Sequence, residues 1–172
     1  MKKIILFFIP LILFMSVSSY GQNVEELEKR NGFKDIKLAS DVNQYEGLEF
    51  LKEIDDEKFG KLQIYTRKDE YYTHVGSIKI NGLYVTVYNG EVYLIQVIFD
   101  KDPKMYGGLK KAFGSPKFSP VTSDYFWQAD SLKLIYRSYD KKQLEMIYHS
   151  YVIEWKLKDE KKEEIEDIAS DF

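Results

Sequence analysis

The side chains that most often perform catalysis or bind metals are few in this sequence, and their spacing forms no reactive motif. His74 follows a polar turn and His149 lies in an alternating run, and the chain has no other histidine. Neither belongs to a metal motif such as H-E-x-x-H, and the chain has no cysteine that could complete a site. We therefore predict a surface or hydrogen-bonded structural role for both histidines, no metal site and no cofactor.

The carboxylates and glycines give no enzyme signature either. A glycosidase needs two carboxylates opposed across a cleft, which the spacing of residues 55–57 and of Asp100 with Asp102 does not indicate. The G-x-S-x-G elbow of serine hydrolases is absent. Gly107 and Gly108 fall inside a predicted helix, where they offer a phosphate no terminal N–H groups. The sequence favours a protein that is not an enzyme, and a hydrolase is the least supported class.

The amino terminus has the pattern of a secretory signal peptide. Two lysines precede an apolar run over residues 4–15, and small residues follow it. The run is shorter than the roughly 20 residues that span a bilayer as a helix. We predict that residues 1–21 are removed by cleavage between Gly21 and Gln22. The protein is then exported, either to the periplasm or outside the cell.

The rest of the chain has the composition of one domain. Without cysteine it can carry neither a disulfide nor the lipid-modified cysteine of a bacterial lipoprotein. Its 151 residues, 172 less the signal peptide of 21, suffice for a domain that buries roughly 70% of its unfolded surface. Loss of two lysines changes the net charge of −3 to about −5, which argues against nucleic acid as a partner. We predict one domain over residues 22–156 without a transmembrane segment, followed by a charged tail over residues 157–172.

Capping residues and periodicity divide the amino-terminal third of this domain into short elements. Asn23 caps a predicted helix, with Val24 and Leu27 as its buried positions. Residues 33–38 alternate as a short strand, and a capped helical turn follows them. Residues 53–60, which are rich in Asp and Glu, are interpreted as a connector.

The strongest structural signal is a two-residue periodicity between residues 61 and 99. Two Asn-Gly pairs, Asn81-Gly82 and Asn89-Gly90, lie between alternating runs, and Asn-Gly favours the positive φ angles of tight hairpin turns. These pairs predict an antiparallel meander. The alternation assigns three residues to each face of one strand: Leu83, Val85 and Val87 to the first, and Tyr84, Thr86 and Tyr88 to the second.

The clearest helix follows this meander. Asp102 is a predicted N-cap, Pro103 takes the first helical position, and apolar residues recur on one face up to Phe113. Gly107 and Gly108 stand inside this helix, where each costs up to about 1 kcal/mol relative to alanine. We favour close packing of the helix on the sheet as the reason for these glycines over a functional hinge.

Three further antiparallel strands are predicted beyond this helix, over residues 125–128, 132–139 and 144–155. The tail over residues 157–172 is mostly charged, and its thin apolar stripe is typical of a frayed helix. The predicted fold class is α+β, an antiparallel meander sheet of six or seven strands with helices packed on one face.

The run LKKAFGSPKFSP, followed by YFWQADSLKLIY, resembles a pattern of small exported bacterial domains: helix, G-x-P, loop, aromatic-W and hairpin. These domains are the outer-membrane small lipoproteins (SmpA/OmlA) and the β-lactamase-inhibitor-protein-like group. The earlier FKDIKLASDVNQY is similar to the short strand and capped helix that open such units. The resemblance implies a helix-on-sheet fold and binding to another protein rather than catalysis. Two departures are the missing lipid-accepting cysteine and Ala39, which stands where glycine is usual.

Aromatic residues are the candidate binding residues. If residues 125–128 form a strand, Tyr125 and Trp127 share one face and Phe126 points to the other. Trp127 is favoured as packing beneath the helix, and the solvent side of the sheet is available for recognition. The candidate residues for binding a partner or ligand are Tyr84, Tyr88, Tyr125, Trp127 and Tyr136.

Two functions fit these observations. The first is a non-enzymatic exported domain that recognises a protein or a cell-envelope component through the face or edge of its sheet. The alternative is a binder of a small ligand or glycan, with a tyrosine-rich concave sheet as its site.

Overall fold

The structure is a computed structural model that describes residues 21–172, so the predicted signal peptide lies outside the described residues except for Gly21. Three α-helices are present: α1 (Val24–Arg30), α2 (Pro103–Phe113) and α3 (Tyr151–Ser170). The strands, in chain order, are β1 (Gly32–Phe33), β2 (Ile36–Lys37), β3 (Glu49–Asp56), β4 (Gly60–Thr66), β5 (His74–Val75), β6 (Ile78–Tyr88), β7 (Glu91–Asp100), β8 (Lys117–Ser119), β9 (Asp124–Gln128), β10 (Leu132–Ser138) and β11 (Gln143–Ser150). Two 3-10 turns, Val42–Gln44 and Glu70–Tyr72, complete the elements.

The predicted α+β class is confirmed, and the sheet is larger than predicted. Its strands pair antiparallel in the order β3-β4-β6-β7-β11-β10-β9-β8, and β5 pairs with β6 outside this order. β1 and β2 form a separate two-stranded ribbon. The predicted six or seven strands become nine because the sheet also contains β3, β5 and β8, whereas the two strands predicted on either side of Asn81-Gly82 form one strand, β6.

Residues 53–60 contain the end of β3, the turn that follows it and the first residue of β4, so their interpretation as a connector is wrong. Glu53 pairs with Gln63, and the turn is closed by the Asp56 carboxylate, which accepts hydrogen bonds from the backbone N–H groups of Lys58 and Phe59 at 2.9 Å each. The acidic residues lie along an edge strand whose side chains are mostly exposed, where charge is tolerated.

The two Asn-Gly pairs have different structures. Asn89 and Gly90 have φ angles of 48° and 83° and form the tight turn between β6 and β7, as predicted. The hairpin predicted at Asn81-Gly82 is wrong, because β6 continues through it and only its register with β7 shifts. A Cβ on Gly82 would lie 2.8 Å from the Tyr84 ring, so this glycine leaves room for an aromatic side chain to fold over the bulge.

One face of the sheet, the helix face, holds the main core. Leu83, Val85 and Val87 share one face, as predicted, and they are buried on the helix face. Helices α1 and α2 cover it through Leu27, which is buried as predicted, and Phe113; Val24 is exposed instead. This face therefore supplies most of the apolar burial that stabilises the fold.

Helix α3 packs against the opposite face, so not all helices lie on one side. It begins at Tyr151, which corrects the strand predicted through residue 155, and the Ser150 hydroxyl caps it by accepting from the Ile153 N–H at 3.4 Å. Ile153 and Leu157 are buried against the opposite face, in a cluster that consists otherwise of Phe59, Leu62 and Tyr88. A domain boundary at residue 157 would cut α3 inside this packed part.

No helix within residues 21–172 combines the length and the apolarity that a membrane crossing requires.

His149 joins α3 to the sheet. Its Nε2 lies 2.7 Å from the Tyr93 hydroxyl and 3.6 Å from the Glu154 carboxylate, which is also paired with Lys58. Burial raises the pKa of Tyr93, so the phenol keeps its proton beside the imidazole. Burial also lowers the pKa of His149, so the neutral imidazole is the form that the fold favours.

The two glycines of α2 are not explained by close packing, and this prediction is wrong. The cap and first helical position are as predicted, with the Asp102 carboxylate accepting from the Lys104 N–H at 2.8 Å. A Cβ placed on either Gly107 or Gly108 would meet no atom within 4 Å. Both glycines therefore cost helix stability without any packing gain from the missing side chain.

We expect Gly107→Ala and Gly108→Ala each to raise the free energy of unfolding by about 0.5–1 kcal/mol, because alanine loses less conformational freedom in a helix and finds open space at both positions. Urea unfolding followed by circular dichroism measures both changes. Destabilisation by either alanine would show that a close contact, rather than open space, surrounds that position.

We expect the free energy of unfolding to fall as the pH drops below about 6.5, the ordinary pKa of histidine. The lowered pKa of His149 in the fold means that the unfolded chain takes up the proton first, so this loss is complete only below the folded-state pKa. Urea unfolding between about pH 5 and pH 8 should show the slope in the natural chain.

The slope should flatten in His149→Gln and persist in His74→Gln, which changes an exposed histidine away from α3. An unchanged slope in His149→Gln would assign the pH dependence to other groups.

Candidate functional site: a groove with an apolar floor and a basic rim

An open groove of about 720 Å³ lies on the helix face, between α2, the β1–β2 ribbon and the turn from β5 to β6. Its floor and walls are mainly apolar and include Phe33, Ile78, Met105, Leu109, Phe113, Met146 and Tyr148. Pockets that bind small molecules have volumes of roughly 300–1,000 Å³ and the same predominance of apolar lining. The groove therefore has the size and character of a ligand site.

The β1–β2 ribbon forms one wall and depends on a tight backbone path. Gly32 has a φ of 147°, and a Cβ at this position would lie 2.2 Å from the Ile36 carbonyl oxygen, so only glycine fits. Asn31 and Lys34 both adopt positive φ angles, which let the chain leave α1 and reverse direction within a few residues. This path places Phe33 in the floor of the groove and Lys34 at its rim.

Helix α2 forms the opposite wall, and Gly108 is part of that wall. Met105 and Leu109 are buried on the same side of the helix, whereas Gly108 leaves a gap between helix and ribbon. Gly107 is one residue further round the helix and does not line the groove. Of the two glycines that cost helix stability, Gly108 thus keeps the groove open.

The rim of the groove is basic. Arg30, Lys34, Lys37 and Lys104 line it, and no acidic residue is among the lining residues of the described chain. The whole sequence has a net charge of −3, so this concentration of positive charge runs against the average. A basic rim over an apolar floor is complementary to a ligand with an apolar body and a negative end.

Tyr148 lies in the floor and is 5% exposed. Its ring packs at 6.4 Å from that of Phe33, and its hydroxyl makes no hydrogen bond with any residue in the range 21–172. Burial raises the pKa of Tyr148, so the hydroxyl keeps its proton and remains a hydrogen-bond donor. A donor of this kind in an apolar floor can fix the orientation of a ligand.

Of the predicted binding residues on β9 and β10, Trp127 and Tyr136 belong to the helix-face core. Trp127 is fully buried, and its indole N–H donates to the Gly114 carbonyl at 2.8 Å, which agrees with its predicted packing role. Tyr136, which the sequence offered as a candidate binding residue, is also buried. Tyr125 is 38% exposed and packs on Tyr106 of α2.

The other two predicted residues lie on the opposite face. Tyr84 is half-buried beside the bulge at Gly82. Tyr88 is buried beneath α3, and its hydroxyl donates to Glu160 at 2.7 Å. The structure therefore does not bring the five aromatic candidates together, and none of them lines the groove.

A second, polar cleft of about 500 Å³ lies on the opposite face. The buried Glu145 accepts from Arg137 at 2.6 Å and from Gln96 at 2.5 Å, and Arg137 is also 3.7 Å from Asp124. The two carboxylates share one guanidinium, and Asp124 Oδ1 is buried without a hydrogen-bond partner in the described chain. Within residues 21–172, no group of three His, Cys, Asp or Glu side chains could hold a metal ion.

The sequence does contain signals for the groove, but they lie far apart. Arg30, Lys34 and Lys37 recur every three to four residues, and Lys104 stands at the start of α2. The second signal is Gly108, a costly helix glycine. Their meeting in one groove depends on how α2 and the ribbon cross the sheet, which no local pattern encodes.

This chain matches no known protein-family model, no curated protein and no solved structure. The resemblance to the small lipoproteins and the β-lactamase-inhibitor-protein-like group stays a prediction, and the groove is the feature from which a function can be inferred.

Proposed function

We propose that this protein is an exported, non-enzymatic binding protein and that the groove holds a small ligand with an apolar body. The observation that carries this proposal is the apolar floor, kept open at Gly108 at a cost in helix stability. Of the two functions that fit the sequence, the groove favours the small-ligand binder. Its site lies between helix and ribbon rather than on a tyrosine-rich sheet face.

Burial of apolar surface would drive such binding. Each Å² of apolar surface removed from water contributes roughly 25 cal/mol, and a groove that is already formed requires little ordering of the protein. The large side chains of the floor are fixed by the core; Phe113, for example, packs edge to face on Trp127 at 6.3 Å. These features support a preformed site.

A protein partner is the second candidate, and it is favoured by one edge of the sheet. β3 ends the strand order, so its outer edge pairs with no other strand of the described chain. Phe50 and Leu51 on this strand are 57% and 48% exposed. An exposed strand edge with apolar side chains can take up a strand from another protein.

The proposal of a binding role without catalysis is supported by the two clusters of titratable groups. His149 is engaged by Tyr93 and Glu154, and Glu145 is engaged by Arg137. In each cluster the titratable side chain already has a hydrogen-bond or ion-pair partner within the protein. Neither of these clusters lines the groove.

Export is tested by the mass of the protein recovered from cells that express the full chain. We expect an intact mass that corresponds to residues 22–172. Gln22 is already attached to the fold, since its side-chain amide donates to the Phe126 carbonyl at 2.8 Å, so a mature chain beginning there keeps its first residue in place. A mass that includes the signal segment would contradict the predicted cleavage.

Ligand binding is tested with a matched pair of variants on α2. We expect the neutral fluorescent probe N-phenyl-1-naphthylamine to bind the natural protein and to lose at least about tenfold in affinity in Gly108→Leu, because the new side chain enters the groove. Gly107→Leu adds the same side chain one position away, outside the groove, and should bind as the natural protein does.

Thermal unfolding of both variants establishes that each is folded. Equal affinity for the probe in all three proteins would show that the groove is not the binding site.

A further inference from the structure

Two ammonium groups at the rim of the groove are held in place without a carboxylate partner. Lys34 donates to the carbonyl oxygens of Tyr71 and of His74, the second at 3.1 Å. Lys37 donates to the carbonyl oxygens of Arg30 at 2.8 Å and of Lys34 at 3.0 Å. An ammonium group has three N–H donors, so each lysine retains one for a ligand.

The nearby carboxylates form no salt bridge with these two lysines, although the charges of Asp35 and Asp69 oppose the effect of burial on the pKa of Lys34. Asp69 and Asp35 are both engaged by Arg67, and Asp35 also accepts from the Tyr72 hydroxyl. Within residues 21–172, neither Lys34 nor Lys37 forms a salt bridge. Burial lowers the pKa of Lys34, which an anion beside it would counteract.

The other two cations of the rim are arranged differently. Arg30 is paired with Glu26 at 2.7 Å, and its guanidinium also lies 5.3 Å from the centre of the Phe113 ring. Lys104 is exposed at the start of α2. The fixed, half-buried donors at the ribbon are therefore Lys34 and Lys37.

The hydroxyl of Tyr148 is a polar group among the apolar residues that line the groove. It is held in an apolar floor and has no hydrogen-bond partner in the described chain. The phenol keeps its O–H donor, and a ligand oxygen that reaches it would accept that hydrogen bond.

Given the proposed binding function, we infer that the ligand is a free, single-chain amphiphile with an anionic head group, either a carboxylate or a phosphate. The head group contacts Lys34 and Lys37 at the rim and reaches the Tyr148 hydroxyl with one oxygen. The alkyl chain lies along Met105, Leu109 and Phe113, past Gly108.

Competition against N-phenyl-1-naphthylamine tests the head group. The competitors are dodecanoate, dodecyl phosphate, dodecanol and dodecyltrimethylammonium, each kept below its micelle concentration. We expect the two anions to bind at least about tenfold more tightly than the alcohol and the cation, and this difference to shrink as salt is added. Each methylene added to a series of shorter carboxylates should tighten binding about fourfold, because each is buried against the floor.

Variants at the rim separate charge from fold. The double variant Lys34→Gln/Lys37→Gln should lose about tenfold in affinity for dodecanoate and change less than about twofold for dodecanol. The control Lys110→Gln/Lys111→Gln removes the same charge from α2 outside the groove and should leave every affinity unchanged. Tyr148→Phe should lower dodecanoate affinity about threefold or more, and an unchanged affinity would remove this hydroxyl from the site.

The outcomes distinguish this inference from the proposed function on which it rests. Equal displacement by all four competitors, with the loss in Gly108→Leu retained, would overturn the anionic head group and leave the groove as a binding site. No displacement by any competitor, together with equal probe binding in Gly108→Leu, would overturn both. Sedimentation with phosphatidylcholine vesicles that contain phosphatidylglycerol, without competition by monomeric dodecanoate, would identify a membrane lipid as the occupant and contradict a free amphiphile.

Discussion

The burial of one apolar sheet face is the constraint on which the rest of this structure depends. Rows of buried side chains cross that face, and one row runs through Val85, Ile95, Tyr148 and Leu134. Helices of 7 and 11 residues, such as α1 and α2, have little stability alone and gain it by covering these rows. The position of α2 is fixed mainly where its large side chains meet the sheet, above all at Phe113 against Trp127.

The groove follows from the same arrangement. β11 contributes Met146 and Tyr148 both to the core and to the floor of the groove, so a ligand would contact the face that stabilises the fold. The ribbon supplies the second wall because Gly32 and Lys34 turn it back beneath α1. Gly108 lines the α2 side of the groove and adds no side chain to this space. A ligand in this position extends the core of the protein, and its binding adds to the stability of the folded state by mass action.

The local sequence predicted an element correctly where a residue type favours one particular backbone conformation. Asn89-Gly90 needed positive φ angles and formed the turn, and Asp102-Pro103 began the helix at the expected residue. The predictions were wrong where tertiary packing decided between two options. Asn81-Gly82 became a bulge because the Tyr84 ring occupies the space above the glycine, and residues 151–155 became helix because their apolar side chains cover the second face. The candidate site was missed for a related reason. The many aromatic residues suggested a binding site made of aromatic side chains, but Trp127, Tyr88 and Tyr136 are buried in the two faces of the sheet.

The charge of the rim needs a cause other than the stability of the fold. Elsewhere in this protein, partly buried cations are neutralised by carboxylates, as Arg67 is by Asp69 and Arg137 is by Glu145. Desolvation makes an ammonium group costly when no anion compensates it, and backbone carbonyl dipoles offset only part of that cost. In the described chain Lys34 and Lys37 donate to backbone carbonyls, and Lys34 also lies over the rings of Phe33, Tyr71 and Tyr72, but neither lysine forms a salt bridge, within a rim that has no acidic residue. A fold selected only for stability would gain from a carboxylate at this place. An anionic group on the ligand would supply the same compensation. The ligand would then bind the charged rim and the apolar floor at the same time.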